Sequence, residues 1–132
     1  MLDRTSGETH VRVTFRVDGQ ILEFTGHGAY TTEQIAAAVQ AAKEHPEYPS
    51  PVRLLIDIRD SQMDRSVEDV RARLALAEKH LDPVRIAFVA AGETRERLVR
   101  MYRTRIADTT RVPIAIFSDV AAARAWLTAS AW

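Results

Sequence analysis

Apolar and polar residues alternate from His10 to Val17: Val11, Val13, Phe15 and Val17 take one side, and His10, Arg12, Thr14 and Arg16 the other. A period of two belongs to a strand with one face buried and one in water. Asp18-Gly19 follows, two residues that tolerate the positive φ of a tight hairpin turn. A two-residue loop at that pair sets Phe15 opposite Leu22 and Val13 opposite Phe24. On the other side it sets Thr14 opposite Glu23 and Arg16 opposite Ile21. Gly26-His27-Gly28 ends the hairpin.

The period then lengthens to that of a helix. Thr31 and Gln34 have the spacing of a capping box, and Ile35, Ala38, Val39 and Ala42 form one apolar stripe whose alanines allow close approach to a sheet. His45-Pro46 stops the helix, and Pro46, Pro49 and Pro51 stiffen the connection. Val52 to Ile58 is almost continuously apolar, as in a strand covered on both faces. Arg59 to Arg65 reads as a polar loop. Ser66 caps a helix with Val67, Val70, Leu74, Ala77 and Leu81 on one side and Leu76 off that stripe. Asp82-Pro83 ends it, and Val84 to Ala91 is a further buried strand. Gly92 opens a third helix, roughly Thr94 to Asp108, on which Leu98, Val99, Tyr102 and Ile106 cluster. A last strand, Val112 to Phe117, meets Ser118 or Asp119 as the cap of a helix running through Leu127. The order predicts an α/β fold: a small mixed sheet with an N-terminal antiparallel hairpin, later strands parallel through right-handed crossovers, covered by about four helices.

The length of 132 residues suits a single domain, 1–132, with residues 1–9 expected to be a flexible N-terminus. Eighteen basic and eighteen acidic residues cancel, so no bulk field draws the chain to nucleic acid or anionic lipid. Cysteine is absent, which removes disulfides, thiolate nucleophiles and thiolate metal sites. Met1 to Glu8 lacks the apolar core of a signal peptide, and no run approaches the ~20 apolar residues of a membrane span. The expected compartment is the cytoplasm.

No motif in the chain specifies a reaction. In open α/β sheets, ligands gather beyond the carboxyl ends of the strands, which here carry Asp57, Arg59 and Asp60, then Ala91-Gly92-Glu93-Thr94, then Ser118-Asp119. Two acids at one strand end can hold a magnesium ion or accept a phosphoryl group; the plainer reading pairs Asp57 locally with Arg59. A phosphoryl-accepting receiver also needs acids after its first strand and a lysine after its last, where this chain has Asp18 in a turn and Ser118. That reading is set aside. His27, flanked by glycines, reads as a turn residue or as a general base that a ligand can approach closely. There is no nucleophile elbow, no histidine pair at metal spacing, no dinucleotide fingerprint and no phosphate loop, so neither metal nor cofactor is expected. Residues 93–111 hold six arginines against three acids, and Arg97, Arg100 and Arg103 share one side of the third helix, opposite Leu98 and Tyr102. Such a row is either a solvated face or a surface for an anion or a partner. Met101, Tyr102 and Trp126 read as core or as the lining of an apolar pocket, and Trp132 must dock somewhere or leave its ring in water.

The hairpin with its glycine-rich exit, the strand Leu54-Leu55-Ile56-Asp57-Ile58, the strand Arg85-Ile86-Ala87-Phe88-Val89, and the closing Phe117-Ser118-Asp119-Val120 with Ala125-Trp126-Leu127 resemble bacterial SpoIIAA-like proteins. These belong to the superfamily that joins STAS domains with the CRAL-TRIO lipid-transfer fold. The likeness runs from about residue 10 to residue 128. It implies a small sheet backed by helices and a non-enzymatic binding or regulatory module that works through protein or small-ligand contact. The lipid-transfer relatives imply an alternative, a carrier of an apolar or amphipathic small molecule. A hydrolase-type enzyme built on His27 is the remaining class. STAS proteins that antagonise anti-sigma factors switch by phosphorylation of a serine in a D-S-S-G pattern. Asp64 and Ser66 stand about where that motif would, without the paired serine and the glycine, and Glu68 with Asp69 opposes added phosphate in the first turn. Ser66 reads first as a plain N-cap. A protein, a small apolar ligand and a second copy of the chain are the partners compatible with this pattern.

Overall fold

A computed structural model describes residues 12–61, 67–102 and 112–129. Strand β1 (Arg12–Asp18) runs antiparallel to β2 (Ile21–Gly28). Helix α1 (Thr32–Lys43) then leads to β3 (Val52–Ser61), α2 (Val67–Leu81) to β4 (Pro83–Val89), and α3 (Gly92–Met101) to β5 (Ile114–Phe117). Helix α4 (Val120–Thr128) follows. The sheet order is β1-β2-β3-β4-β5, and β2 to β5 are parallel. Each crossover steps to the adjacent strand in the same direction and with the same hand, which puts α1, α2 and α3 on one face. Helix α4 returns over the other. This is the mixed α/β sheet that the sequence order predicts.

Side-chain alternation along the strands divides the core in two. Leu22, Phe24, Leu54, Ile86 and Phe88 meet Ala38, Val39 and Ala42 of α1, Leu74, Ala77 and Leu81 of α2, and Leu98 of α3. Ile21, Leu55, Ala87 and Val89 face the other way, onto Ala123 and Leu127 of α4. Strand β3 is therefore covered on both sides, as its apolar run implies. The capping box of Thr31 and Gln34 is formed, with the Thr31 hydroxyl accepting from the Gln34 N–H at 3.1 Å and the Gln34 side chain accepting from the Thr31 N–H at 2.8 Å. Asp119, rather than Ser118, caps α4, accepting from the Ala122 N–H at 2.8 Å. At the other end of α4, where helix carbonyls lack partners within the helix, Arg53 donates to the Leu127 carbonyl and Arg85 to that of Trp126. The Arg85 guanidinium also lies 5.5 Å from the Trp126 ring centroid.

The hairpin register differs from the expected one by two positions. The loop is Gly19-Gln20, and Asp18 pairs with Ile21 instead of entering the turn. Phe15 faces Phe24, Arg16 faces Glu23, Thr14 faces Thr25 and Val13 faces Gly26. A shift of two keeps every side chain on its expected face, and the chemistry of the pairs explains the choice. Arg16 and Glu23 form an ion pair at 3.3 Å where the expected register set arginine against isoleucine, and Phe15 and Phe24 pack with ring centroids 6.1 Å apart. Asp18 stays in the strand with its carboxylate 2.7 Å from Arg124 of α4. Gly19 alone supplies the positive φ, at +62° in the first loop position, which is the demand of a type II′ turn.

One further expectation is corrected. Strand β3 does not stop at Ile58: Arg59, Asp60 and Ser61 continue it, because β2 itself continues and pairs His27 with Asp60 and Gly28 with Ser61 after a register irregularity. Leu76, off the main stripe of α2, is nevertheless half-buried against the core under α1 to α3, since a helix that meets both the sheet and a neighbouring helix buries more than one stripe. The readings placed on residues 1–9, His10, Val11, Asp64, Ser66, Arg103, Ile106, Asp108 and Trp132 lie outside the described residues.

Candidate functional site

The face covered by α1 and α2 is not filled. A cavity of about 90 Å³ lies between the sheet and these helices. Phe24, Gly26, Leu54, Ile56 and Ile58 of the strands, Ile35 and Val39 of α1, and Leu74, Ala77 and Leu81 of α2 line it. Small residues keep it open: Gly26 presents no side chain and Ala77 only a methyl group. Tyr30 and Arg73 are the two described lining residues with polar side-chain atoms. Arg73 Nη2 donates to the Tyr30 carbonyl at 3.2 Å, and its Cζ sits 5.0 Å from the Tyr30 ring centroid. Tyr30 precedes the cap Thr31, and Ile35 lies four residues into the helix, the two positions of a hydrophobic staple. Both line the cavity.

The opposite face carries a polar cluster at the carboxyl ends of β2 and β3. Asp57 is buried and accepts from Arg59 three times, from Nε at 3.0 Å, Nη2 at 2.9 Å and the backbone N–H at 3.1 Å. Residues two apart on a strand share a face, so this pairing is local. Burial by itself would raise the Asp57 carboxyl. The hydrogen bonds from the Arg59 side chain and backbone, with the charges of Arg59 and His27, outweigh burial and hold it below its ordinary value. Arg59 is raised in turn, first by its hydrogen bond to Asp57, then by the charges of Asp57, Asp119 and Glu23, against a smaller opposing effect of burial. His27 Nδ1 lies 2.7 Å from Asp60 Oδ2, with Asp60 three-quarters exposed. The imidazole thus has an acidic partner that can orient it. Arg124 bridges Asp18 at 2.7 Å and Glu23 at 3.1 Å, joining α4 to the hairpin. This cluster and the apolar cavity are separated by the sheet, because His27 and Asp57 alternate with Gly26, Ile56 and Ile58.

A family model described as SpoIIAA-like matches residues 21–128. The chain belongs to the SpoIIAA-like family. Its structure is similar to that of an uncharacterized protein with a SpoIIAA-like fold from Shewanella loihica, at 25% sequence identity and a TM-score of 0.57, over 87% of this chain and 91% of that one. No curated protein matches the sequence.

Within this SpoIIAA-like sheet, Asp57, Arg59 and Asp60 come together with His27, while Arg97 and Arg100 are exposed on α3, away from that group. Met101 and Tyr102 pack against the core under α1 to α3, whereas Trp126 packs on the far face beside Phe117, with ring centroids 5.9 Å apart. The three do not form one pocket. The sheet lies between them. The lining that does exist was missed at Tyr30 and Arg73. A signal for Arg73 is present: it sits between Val70 and Ala77 on the apolar side of α2, where a charge is out of place. Among the described residues, no helix is long and apolar enough to cross a membrane, and no group of three or more His, Asp or Glu side chains has metal-binding geometry.

Proposed function

We infer that this SpoIIAA-like domain is a non-enzymatic module that binds a small apolar molecule, or the short apolar end of an amphiphile, in the cavity between the sheet and α1 and α2. One observation carries this reading: an apolar cavity of about 90 Å³, partly open to solvent, between the sheet and the helices. Protein interiors are close-packed, so apolar side chains that face an open space lack contacts that an apolar occupant would restore. Ordinary substitutions at Ala77 would close it, so its persistence suits a ligand better than it suits stability. The volume is smaller than the ~150 Å³ apolar cavity that accepts benzene, so a small apolar group suits it. The described lining offers contact surface without a nucleophile or general base. His27 and Asp60 lie across the sheet from it.

Methyl-resolved NMR during titration with 3-methylbutan-1-ol tests the reading. Saturable shifts are expected for Leu54, Ile56, Leu74 and Leu81, with Ile21, Leu55 and Leu127 on the far face unmoved. Shifts that never saturate, or that are equal on both faces, would show that the cavity is not a site.

A further inference from the structure

Strand β1 forms one edge of the described sheet. From Arg12 to Asp18 its pairing with β2 is regular, and the stretch holds no bulge, proline or lysine, the devices that commonly blunt an edge. The two-residue loop makes Asp18 and Ile21 a hydrogen-bonded pair, so Arg16, Thr14 and Arg12 also aim their backbone groups at β2. On the other side of β2 the Arg53 N–H donates to the Gln20 carbonyl at 3.0 Å, which fits the same alternation. Val13, Phe15 and Val17 therefore direct their N–H and C=O groups outward along the edge. Their side chains are only half-buried, and Arg12, Thr14, Arg16 and Asp18 are exposed.

A twofold axis through Phe15, perpendicular to the sheet, lays this strand on itself in antiparallel register. Phe15 then meets Phe15 of the second copy, Val13 meets Val17, Thr14 meets Arg16 and Arg12 meets Asp18. The pairs at Val13, Phe15 and Val17 are those whose backbone groups point outward, so each falls in the hydrogen-bonded phase of the new ladder. Opposite charges face each other at both ends, and no like charges meet. A centre at Thr14 or Arg16 would bring the inward-aimed backbone groups together and set arginine against arginine. The complementarity lies in the signs at facing positions and does not require Arg12 to lack other contacts. A carboxylate has about four acceptor sites, so Asp18 keeps Arg124 while facing Arg12 of the second copy. We propose that β1 is a homodimer edge, at which two copies join antiparallel about Phe15 into one continuous sheet. Such a contact is isologous and closes on itself.

The test is sedimentation velocity of the full chain from about 10 μM to about 1 mM, a range that suits a small interface. Amide hydrogen exchange is read by NMR over the upper part of the same range. A reversible dimer is expected, with exchange at Val13, Phe15 and Val17 slowing in step with the dimer population. Thr14→Glu sets a carboxylate opposite Arg16 at two symmetric places and should tighten the dimer by about threefold to tenfold. Thr14→Lys sets a like charge there and should weaken it by about as much or more. A dimer that neither variant moves, or whose three outward amides exchange freely, uses another face and overturns the proposal. A protein that stays monomeric throughout also overturns it. Slow exchange of the three amides in that monomer would show the edge covered by the chain's own residues 1–11, and fast exchange would show it open to water. Should Thr14→Lys fail to fold, the unaltered chain and Thr14→Glu decide.

Discussion

Asp57 is a buried carboxylate whose protonation state bears on this fold. Its carboxylate is buried and held below its ordinary value by Arg59, so its contribution to stability is complete above the unfolded-state pKa, about 4, and fades as pH falls through the lower folded value. Asp57→Asn should therefore destabilise the protein near neutral pH by about 1–2 kcal/mol, the low end for charge-assisted bonds because Arg59 is nearly half exposed. Urea melts at neutral and acid pH check the sign: the gap between wild type and variant should be constant above about pH 5 and close below about pH 4. A gap that persists undiminished in acid would mean that the loss is one of packing, not charge. The pairing itself was legible, since Asp57 and Arg59 are two apart at a strand end. The extension of β3 through Asp60 was not. Its polar residues read as loop because a hydropathy pattern cannot see that β2 remains alongside, or that His27 waits there for Asp60.

Helix α3 carries the charged row that the sequence singled out. Arg97 and Arg100 are exposed, and Arg103, which the sequence groups with them, lies outside the described residues. If the row is a solvated face, Arg97→Gln, Arg100→Gln and Arg103→Gln together should change stability by at most ~1 kcal/mol, read as a nearly unchanged melting temperature. Pull-down profiles should also match those of wild type. Selective loss of one partner from a folded triple variant would instead assign this face to protein contact. The hairpin shows what a pattern does and does not specify for an element. Alternation put each residue of β1 and β2 on its correct face, yet the turn was placed one residue early. Both Asp18 and Gly19 satisfy turn chemistry. What decides between them is distant: Arg124, more than 100 positions along the chain, holds Asp18 in the strand. Local pattern has no access to such a contact.

For the molecule as a whole, the α/β class, the hairpin, the parallel strands and the helix caps at Thr31 and Asp119 were all readable, because each follows from periodicity or capping within a few residues. The cavity was not. It is defined by atoms that are missing, at Gly26 and Ala77, between elements that the chain brings together only on folding. Trp126 was grouped with Met101 and Tyr102 by residue type alone, and the final helix turns onto the far side of the sheet. Arg73 and Tyr30 left the faint signals of a charge within an apolar stripe and an aromatic ring at a staple position. The claim that this space exists for a ligand is tested most directly by filling it. Ala77→Leu adds three carbons at the cavity wall without lowering helix propensity much. The variant is expected to fold with a stability close to that of wild type, and to lose all binding of 3-methylbutan-1-ol in calorimetric titration. A folded Ala77→Leu protein that binds 3-methylbutan-1-ol as tightly as wild type would contradict the account, because the ligand would then sit somewhere other than the cavity.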